Sequence, residues 1–241
     1  KSDLIFCLRR LPKKFLENIV KTEKWNNRIF IGGGFIRSVI QNEKINDVDL
    51  FVKSKDDAEH LALEIKNELK GVEYIHKTEY ALTLVGTYPT IQIIHKWNFD
   101  KAEDVIKSFD FTICNAVIYY EDGKYKTHCE DSYYEDLASK RLVYTKPKRI
   151  EEAGGSTLRV LKYYNKGFRI PLDSLGSVLA RLFMAVDFDQ IAAKCKNKEE
   201  MELEVGKVLT GLLRTVDPLI DPTAEAHLPS QNDESNNIIE A

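Results

Sequence analysis

Ile29-Phe-Ile-Gly-Gly-Gly-Phe-Ile-Arg-Ser-Val-Ile40, followed after a polar link by Ile45-Asn-Asp-Val-Asp-Leu-Phe-Val52, is the pattern around which the rest of the chain is organised. It predicts a strand, a glycine turn opening a short helix, and a second strand. A glycine turn at a helix start presents backbone N–H groups and the positive end of the helix dipole, which suits phosphate. Asp47 and Asp49, two apart on a strand, share one face, and paired carboxylates suit a hard cation such as Mg²⁺. The stretch has the parts to hold a triphosphate and a divalent metal together.

Outward from it, the N-terminal side reads as packing. Leu4, Leu8, Leu11, Phe15, Ile19 and Val20 recur at near-helical spacing over residues 3–22, with a break at Pro12. On the other side, an amphipathic helix is predicted from Asp56 or Asp57 to Leu69, with Gly71 as its stop. Strands follow near 72–76, 80–86 and 90–94, a meander widening the sheet, then a helix over Asp100–Lys107. Phe109 to Tyr120 reads as the longest strand, with Phe109, Phe111 and Ile113 on one face and Asp110 and Thr112 on the other. A lone carboxylate such as Asp110 in so apolar a run is costly unless it is paired or metal-bound. Asp122-Gly123 predicts a tight hairpin returning through His128.

Past Asp131 the pattern turns helical: Ser132–Lys140, Arg149–Gly167, and segments near 174–187 and 198–215. The expected domains are 1–146, a sheet-bearing head; 147–216, a helical neck; and 217–241, a tail whose Pro, Asp, Glu, Asn and Ser content disfavours burial. Arg159, Lys162, Lys166 and Arg169 recur at steps of three and four and predict a basic stripe beside Tyr163 and Tyr164, extended by Lys146, Lys148 and Arg149.

The composition sets bounds. Of 241 residues 43% are hydrophobic, enough for a core, and the formal charge of -3 gives no global pull toward nucleic acid, so any RNA contact is a local basic face. Cys7, Cys114, Cys129 and Cys195 are scattered without a Cys-x-x-Cys pair, which argues against zinc and against a disulfide framework. With no apolar run of membrane-spanning length, the expectation is a cytoplasmic protein with no membrane partner.

Gly33-Gly34-Phe35-Ile36-Arg37, Asp47-Val48-Asp49, and Asp110-Phe111-Thr112-Ile113 followed by Asn115-Ala116 resemble, in this order, the motifs of the DNA polymerase β-type nucleotidyltransferase superfamily. Within it, the similarity is to the head and neck of bacterial poly(A) polymerases and class II CCA-adding tRNA nucleotidyltransferases, over roughly residues 28–170. Glu135-Asp136-Leu137 with Arg141-Leu142, and Leu158-Arg159-Val160-Leu161, extend it weakly. The resemblance implies an α+β fold, a mixed β-sheet head covered by helices and followed by an α-helical neck. It further implies that Asp47, Asp49 and Asp110 are catalytic and hold two Mg²⁺ ions, and that Gly33, Gly34, Arg37 and Arg159 bind the nucleotide. Lys162, Lys166 and Arg169 would contact RNA.

The pattern also departs from the family's. Ser38 stands where an acid follows the motif arginine, Ser108 and Phe109 stand where two arginines precede the third aspartate, and Cys114 lengthens that motif by one residue. Of the neck motif Glu-Asp-x-x-Arg, Gly155-Ser156-Thr157-Leu158-Arg159 keeps only the arginine. The expected activity is template-independent transfer of a nucleoside monophosphate, AMP from ATP first, to an RNA 3′ end such as that of tRNA. The alternatives are transfer to a protein or small molecule, and a nucleotide- or RNA-binding regulator without turnover.

Overall fold

The computed structural model describes residues 4–87, 89–97, 99–147 and 153–214. Seven strands form one mixed sheet in the order β3-β4-β5-β2-β1-β6-β7. The strands are β1 Phe30–Gly32, β2 Asp47–Phe51, β3 Tyr74–Lys77, β4 Ala81–Val85, β5 Thr90–Ile94, β6 Ala116–Glu121 and β7 Lys124–Cys129. All pairings are antiparallel except β2 with β5, where Asp47 lies opposite Thr90 and Asp49 opposite Gln92. The expected meander is β3-β4-β5, and the expected tight turn joins β6 to β7, with Asp122 and Gly123 both at positive φ (52° and 77°).

The helices are α1 Lys13–Phe15, α2 Gly34–Ile40, α3 Lys55–Glu68, α4 Ala102–Lys107, α5 Tyr133–Ala138, α6 Ala153–Asn165, α7 Leu172–Met184, α8 Phe188–Ala192 and α9 Lys198–Arg214. Ser54 caps α3 by accepting from the Asp57 backbone N–H, and its apolar stripe of Ala58, Leu61, Ala62 and Ile65 is buried. Full burial is worth about 1.5–3 kcal/mol for each of Leu61 and Ile65. Phe30, Phe51, Phe99, Val105, Ile106 and Val117 form a second core cluster beside α4.

The chain divides into two compact units. The first holds the described residues up to Phe109 together with Ile113–Tyr134; the second holds Asp110–Thr112 and the described residues from Glu135 onward. The first unit contains the whole sheet and the second contains α6–α9. The mixed sheet with its helices is the α+β fold expected.

Several local expectations are corrected. Residues 4–20 are not two α-helices: Leu4–Arg10 is a 3-10 segment, and past Pro12 the three-residue α1 runs into a π turn at Leu16–Val20. Asp110 is not on a strand. It sits in a bend, Phe111 makes an isolated bridge to Tyr144, Thr112–Cys114 is a 3-10 turn, and β6 begins only at Ala116. The reason is that the segment's hydrogen bonds go elsewhere: the Thr112 N–H donates to the Val143 carbonyl and the Thr145 N–H to that of Asp110. Alternating apolar residues reported burial there, not a continuous ladder. Helix α8, capped by Asp187, was not anticipated. The tail 217–241 and the basic residues Lys148 and Arg149 lie outside the described residues.

Candidate nucleotide and metal site

In the first unit, Gly32 pairs with Asp49 across β1 and β2. Strand alternation puts Asp47, Asp49 and Phe51 on one face and the buried Val48 and Leu50 on the other. Phe51 anchors the row, meeting Phe99 and Phe109 edge-on at ring-centroid distances of 5.9 and 5.4 Å. Asp49 is half-buried and Asp47 exposed, so the row runs from an aromatic core to a carboxylate pair near solvent.

Gly33 is the cap of α2, with φ 70° and ψ −144°. A side chain is strained in that conformation, and a Cβ there would stand 2.9 Å from Asp49 Oδ2. The missing Cβ leaves the turn and the Asp49 carboxylate side by side. Gly34, the first residue of α2, has its nearest neighbour, Arg37 Nη2, 3.9 Å from the place of a Cβ. The glycine turn and the aspartate strand, adjacent in the sequence reading, thus meet at Gly33 and Asp49.

Asp47 and Asp49 fit a hard divalent cation by their donor chemistry and by the cradle that Gly33 leaves open beside Asp49. Among the described residues, no group of three or more His, Cys, Asp or Glu is placed to hold a metal ion. Arg37 is only 4% exposed; its Nη2 donates to Ser38 Oγ at 2.9 Å and pairs with Glu43 Oε2 at 3.4 Å. Ser38 offers no charge to Arg37, and Glu43 supplies it from the link before β2. The sequence carried no signal for Glu43, an acid in a polar loop. Tyr133, packed in the same unit, has its hydroxyl pushed well above its ordinary pKa by burial first, with Cys114 and Cys7 adding and Arg37 opposing.

In the second unit, Asp110 is buried and ion-paired: its Oδ2 accepts from Arg159 and from Ser156 Oγ at 3.1 Å. A carboxylate so buried is costly unless paired or metal-bound, and Asp110 is paired by Arg159, the residue expected at the nucleotide. Ser156, one of the departures in the neck motif, is a second partner that spacing did not flag. Thr112 Oγ1 donates to Asp136 Oδ2 at 2.7 Å, and Asp136, 1% exposed, also has Arg141 Nε at 3.8 Å. The weakly matching segment 135–142 is thereby tied to the Asp-Phe-Thr stretch.

The basic stripe is corrected in shape. Arg159 and Lys162 lie on α6, but α6 ends at Asn165, so Lys166 is in the turn. Gly167, at φ 86°, then reverses the chain. Arg169 lies beyond it, in a bridge to Arg141, with its guanidinium 5.0 Å from the Tyr164 ring centroid. No helix among the described residues is long and apolar enough to cross a membrane.

The sequence profile of the family described as Gabija anti-defense 2 family protein matches residues 7–140, more than half of the chain. A curated relative, "Gabija anti-defense 2" of Bacillus phage SPbetaL7, is 29% identical over 154 residues, 64% of this chain and 37% of the relative. The Thermotoga maritima CCA-adding enzyme complexed with tRNA-CCA superposes with a TM-score of 0.56 at 18% identity, covering 86% of this chain and 54% of that one. A CCA-adding enzyme with ATP gives 0.56 at 17% identity, covering 86% and 51%. A tRNA nucleotidyltransferase with a primer tRNA and an incoming ATP analog gives 0.53 at 18%, covering 77% and 58%. The fold is therefore nucleotidyltransferase-like, and the chain spans about half the length of these structures and 37% of the curated relative.

Proposed function

We propose the following for this chain, which belongs to the Gabija anti-defense 2 family: it binds a nucleoside triphosphate with a divalent cation and transfers the nucleoside monophosphate to an acceptor hydroxyl. The observation that carries this reading is the contact of the Gly33 turn with the Asp49 carboxylate. Asp47 and Asp49 would hold Mg²⁺, and Gly33, Gly34 and Arg37 the triphosphate. When bound, the metal neutralises phosphate charge and lowers the pKa of an attacking hydroxyl. Residues at the glycine turn orient the α-phosphate for in-line attack, with pyrophosphate leaving. By motif order alone the reading assigns Asp110 the third carboxylate and Arg159 the base-reading arginine. Because the two are ion-paired, they act as one unit.

The leading acceptor is an RNA 3′ end, with ATP as the first donor to test and AMP the group transferred, and Lys162, Lys166 and Arg169 contacting phosphates. Each α-labelled nucleotide, Mg²⁺ and total RNA are incubated with the chain and with Asp47→Ala and Asp49→Ala. Label passes to RNA with the parent and not with the variants; equal labelling by the variants overturns the role of the aspartates. A second reading, favoured by family membership, places the acceptor on a protein of the bacterial defence that the family is named against. Label on protein in extract of a defence-carrying host decides for it. Nucleotide binding with no labelled acceptor in RNA, protein or small-molecule fractions overturns transfer altogether.

A further inference from the structure

The N-terminal segment and the edge strand β7 border an open cleft of about 580 Å³, which shares no residue with the Gly33–Asp49 site. Its apolar lining is mostly aliphatic, with Leu8 and Leu11 buried and Ile5 and Leu16 half-buried, beside the exposed ring of Phe6. Pro12, in an extended conformation, separates the 3-10 segment that contributes Leu8 from the helical stretch that contributes Leu16. Leu16 opens the π turn, a wider backbone form enriched at functional sites. In the wall, the Tyr125 hydroxyl is buried with no hydrogen-bond partner among the described residues. Burial pushes its pKa up to about 12, so it stands as a neutral donor at ordinary pH.

The rim is cationic. Arg9 and Lys13 are exposed and make no ion pair among the described residues, while Lys21 pairs with Glu17 at 3.1 Å and stands 5.8 Å from the Tyr125 ring centroid. Residues 4–25 carry six Lys and Arg against two Glu, in a chain of formal charge -3. A basic, apolar-floored cleft on an otherwise acidic chain is complementary to one kind of partner.

The geometry points to this cleft as the docking site for an acidic peptide segment of a partner protein, anchored by a branched apolar side chain. The mostly aliphatic lining takes the anchor, Arg9, Lys13 and Lys21 face the flanking carboxylates, and the Tyr125 hydroxyl donates to a carbonyl or carboxylate oxygen. An RNA strand is the weaker fit, because most of the apolar lining is aliphatic and only Phe6 and Tyr125 offer rings on which a base could stack. A compact small molecule would keep too much of its surface wet in a cleft this open. The inference is independent of nucleotide transfer.

The test is selection of a displayed library of random dodecapeptides against the whole chain, followed by fluorescence anisotropy with a labelled selected peptide. Selected sequences combine Leu, Ile or Met with Asp and Glu. Their affinity falls by at least about tenfold for Lys13→Glu/Lys21→Glu. It falls by about fivefold for Tyr125→Phe, which keeps the ring and removes only the donor. Asp49→Ala binds the peptide as the parent does, so a failure of the transfer reading is separately visible. Unchanged thermal unfolding of Tyr125→Phe excludes a folding defect as the cause of its loss. Selected peptides without acidic bias, or peptides that bind the double variant and the parent alike, overturn the proposal; full displacement by a dodecanucleotide RNA assigns the cleft to RNA instead.

Discussion

Gly33→Ala and Gly34→Ala, one residue apart, should have opposite outcomes. At Gly33 the backbone lies at φ 70° and ψ −144°, close to a region occupied almost only by glycine, and the new Cβ would stand 2.9 Å from Asp49 Oδ2 and 3.6 Å from the Phe109 ring. The backbone strain is worth about 1–3 kcal/mol. For a unit of this size that lowers the unfolding midpoint by roughly 4–12 °C. The carboxylate, as the end of a flexible side chain, can move away, so the contact adds little to the strain but displaces the proposed metal ligand. At Gly34 the nearest atom is 3.9 Å from the Cβ position, and alanine in the first helical turn is neutral or stabilising by up to about 1 kcal/mol. Thermal unfolding is measured with and without Mg²⁺ and ATP. A saturating ligand at a hundred times its Kd stabilises by about 2.7 kcal/mol. The parent shows that gain, Gly34→Ala keeps the parent's midpoint without ligand, and Gly33→Ala starts lower and gains little. A Gly33→Ala protein with the parent's midpoint and the parent's nucleotide gain would refute the reasoning.

Three further outcomes follow from the packing and ionisation. Arg159→Ala leaves the Asp110 carboxylate buried without its cation and should cost about 2–4 kcal/mol by urea denaturation; Asp110→Asn added to it should restore part of the loss, and strictly additive losses would show that the pair is not coupled. Gly154→Ala brings a Cβ to 2.2 Å from the Leu212 carbonyl oxygen where α6 meets α9, against open space for Gly176→Ala. The first should destabilise by about 1–3 kcal/mol and the second not at all, and equal circular-dichroism melts would count against this packing. Burial raises the Cys7 thiol from 9.0 and the Tyr125 hydroxyl from 10.0, each to about 12. Their contributions are complete below the unfolded values and are lost as pH rises toward 12, so stability falls across pH 9–12 and falls less steeply in Cys7→Ala. A flat urea midpoint over that range would contradict the burial of both groups.

Much of the first unit was legible in the chain. The three-strand meander, the amphipathic α3 and the Asp122-Gly123 hairpin were predicted within a few residues, since each depends on neighbours in sequence: strand alternation, an apolar stripe at helical spacing, a turn pair tolerant of positive φ. The candidate site was legible in part. Spacing singled out Gly33, Asp47 and Asp49 as candidates, but not Glu43, the partner of Arg37, nor Ser156, a partner of Asp110, because a polar residue in a loop or a small one on a helix gives no sign of the charge it will meet. Phe109 to Tyr120 misled for a related reason: its alternating apolar residues reflect burial, while its first half takes its hydrogen bonds from residues more than thirty positions away.

The strand, the glycine turn and the aspartate strand can be read from the chain alone, because they follow from backbone freedom at glycine and the two-residue period of a strand. Only the tertiary structure decided the partners: Glu43 for Arg37, Arg159 and Ser156 for Asp110, and Tyr125 in the wall of a basic cleft. A buried charge or hydroxyl must be satisfied by something, but a chain with 35 Lys and Arg and 38 Asp and Glu offers many candidates. Which one serves depends on the segments that folding brings together, and local periodicity does not encode that.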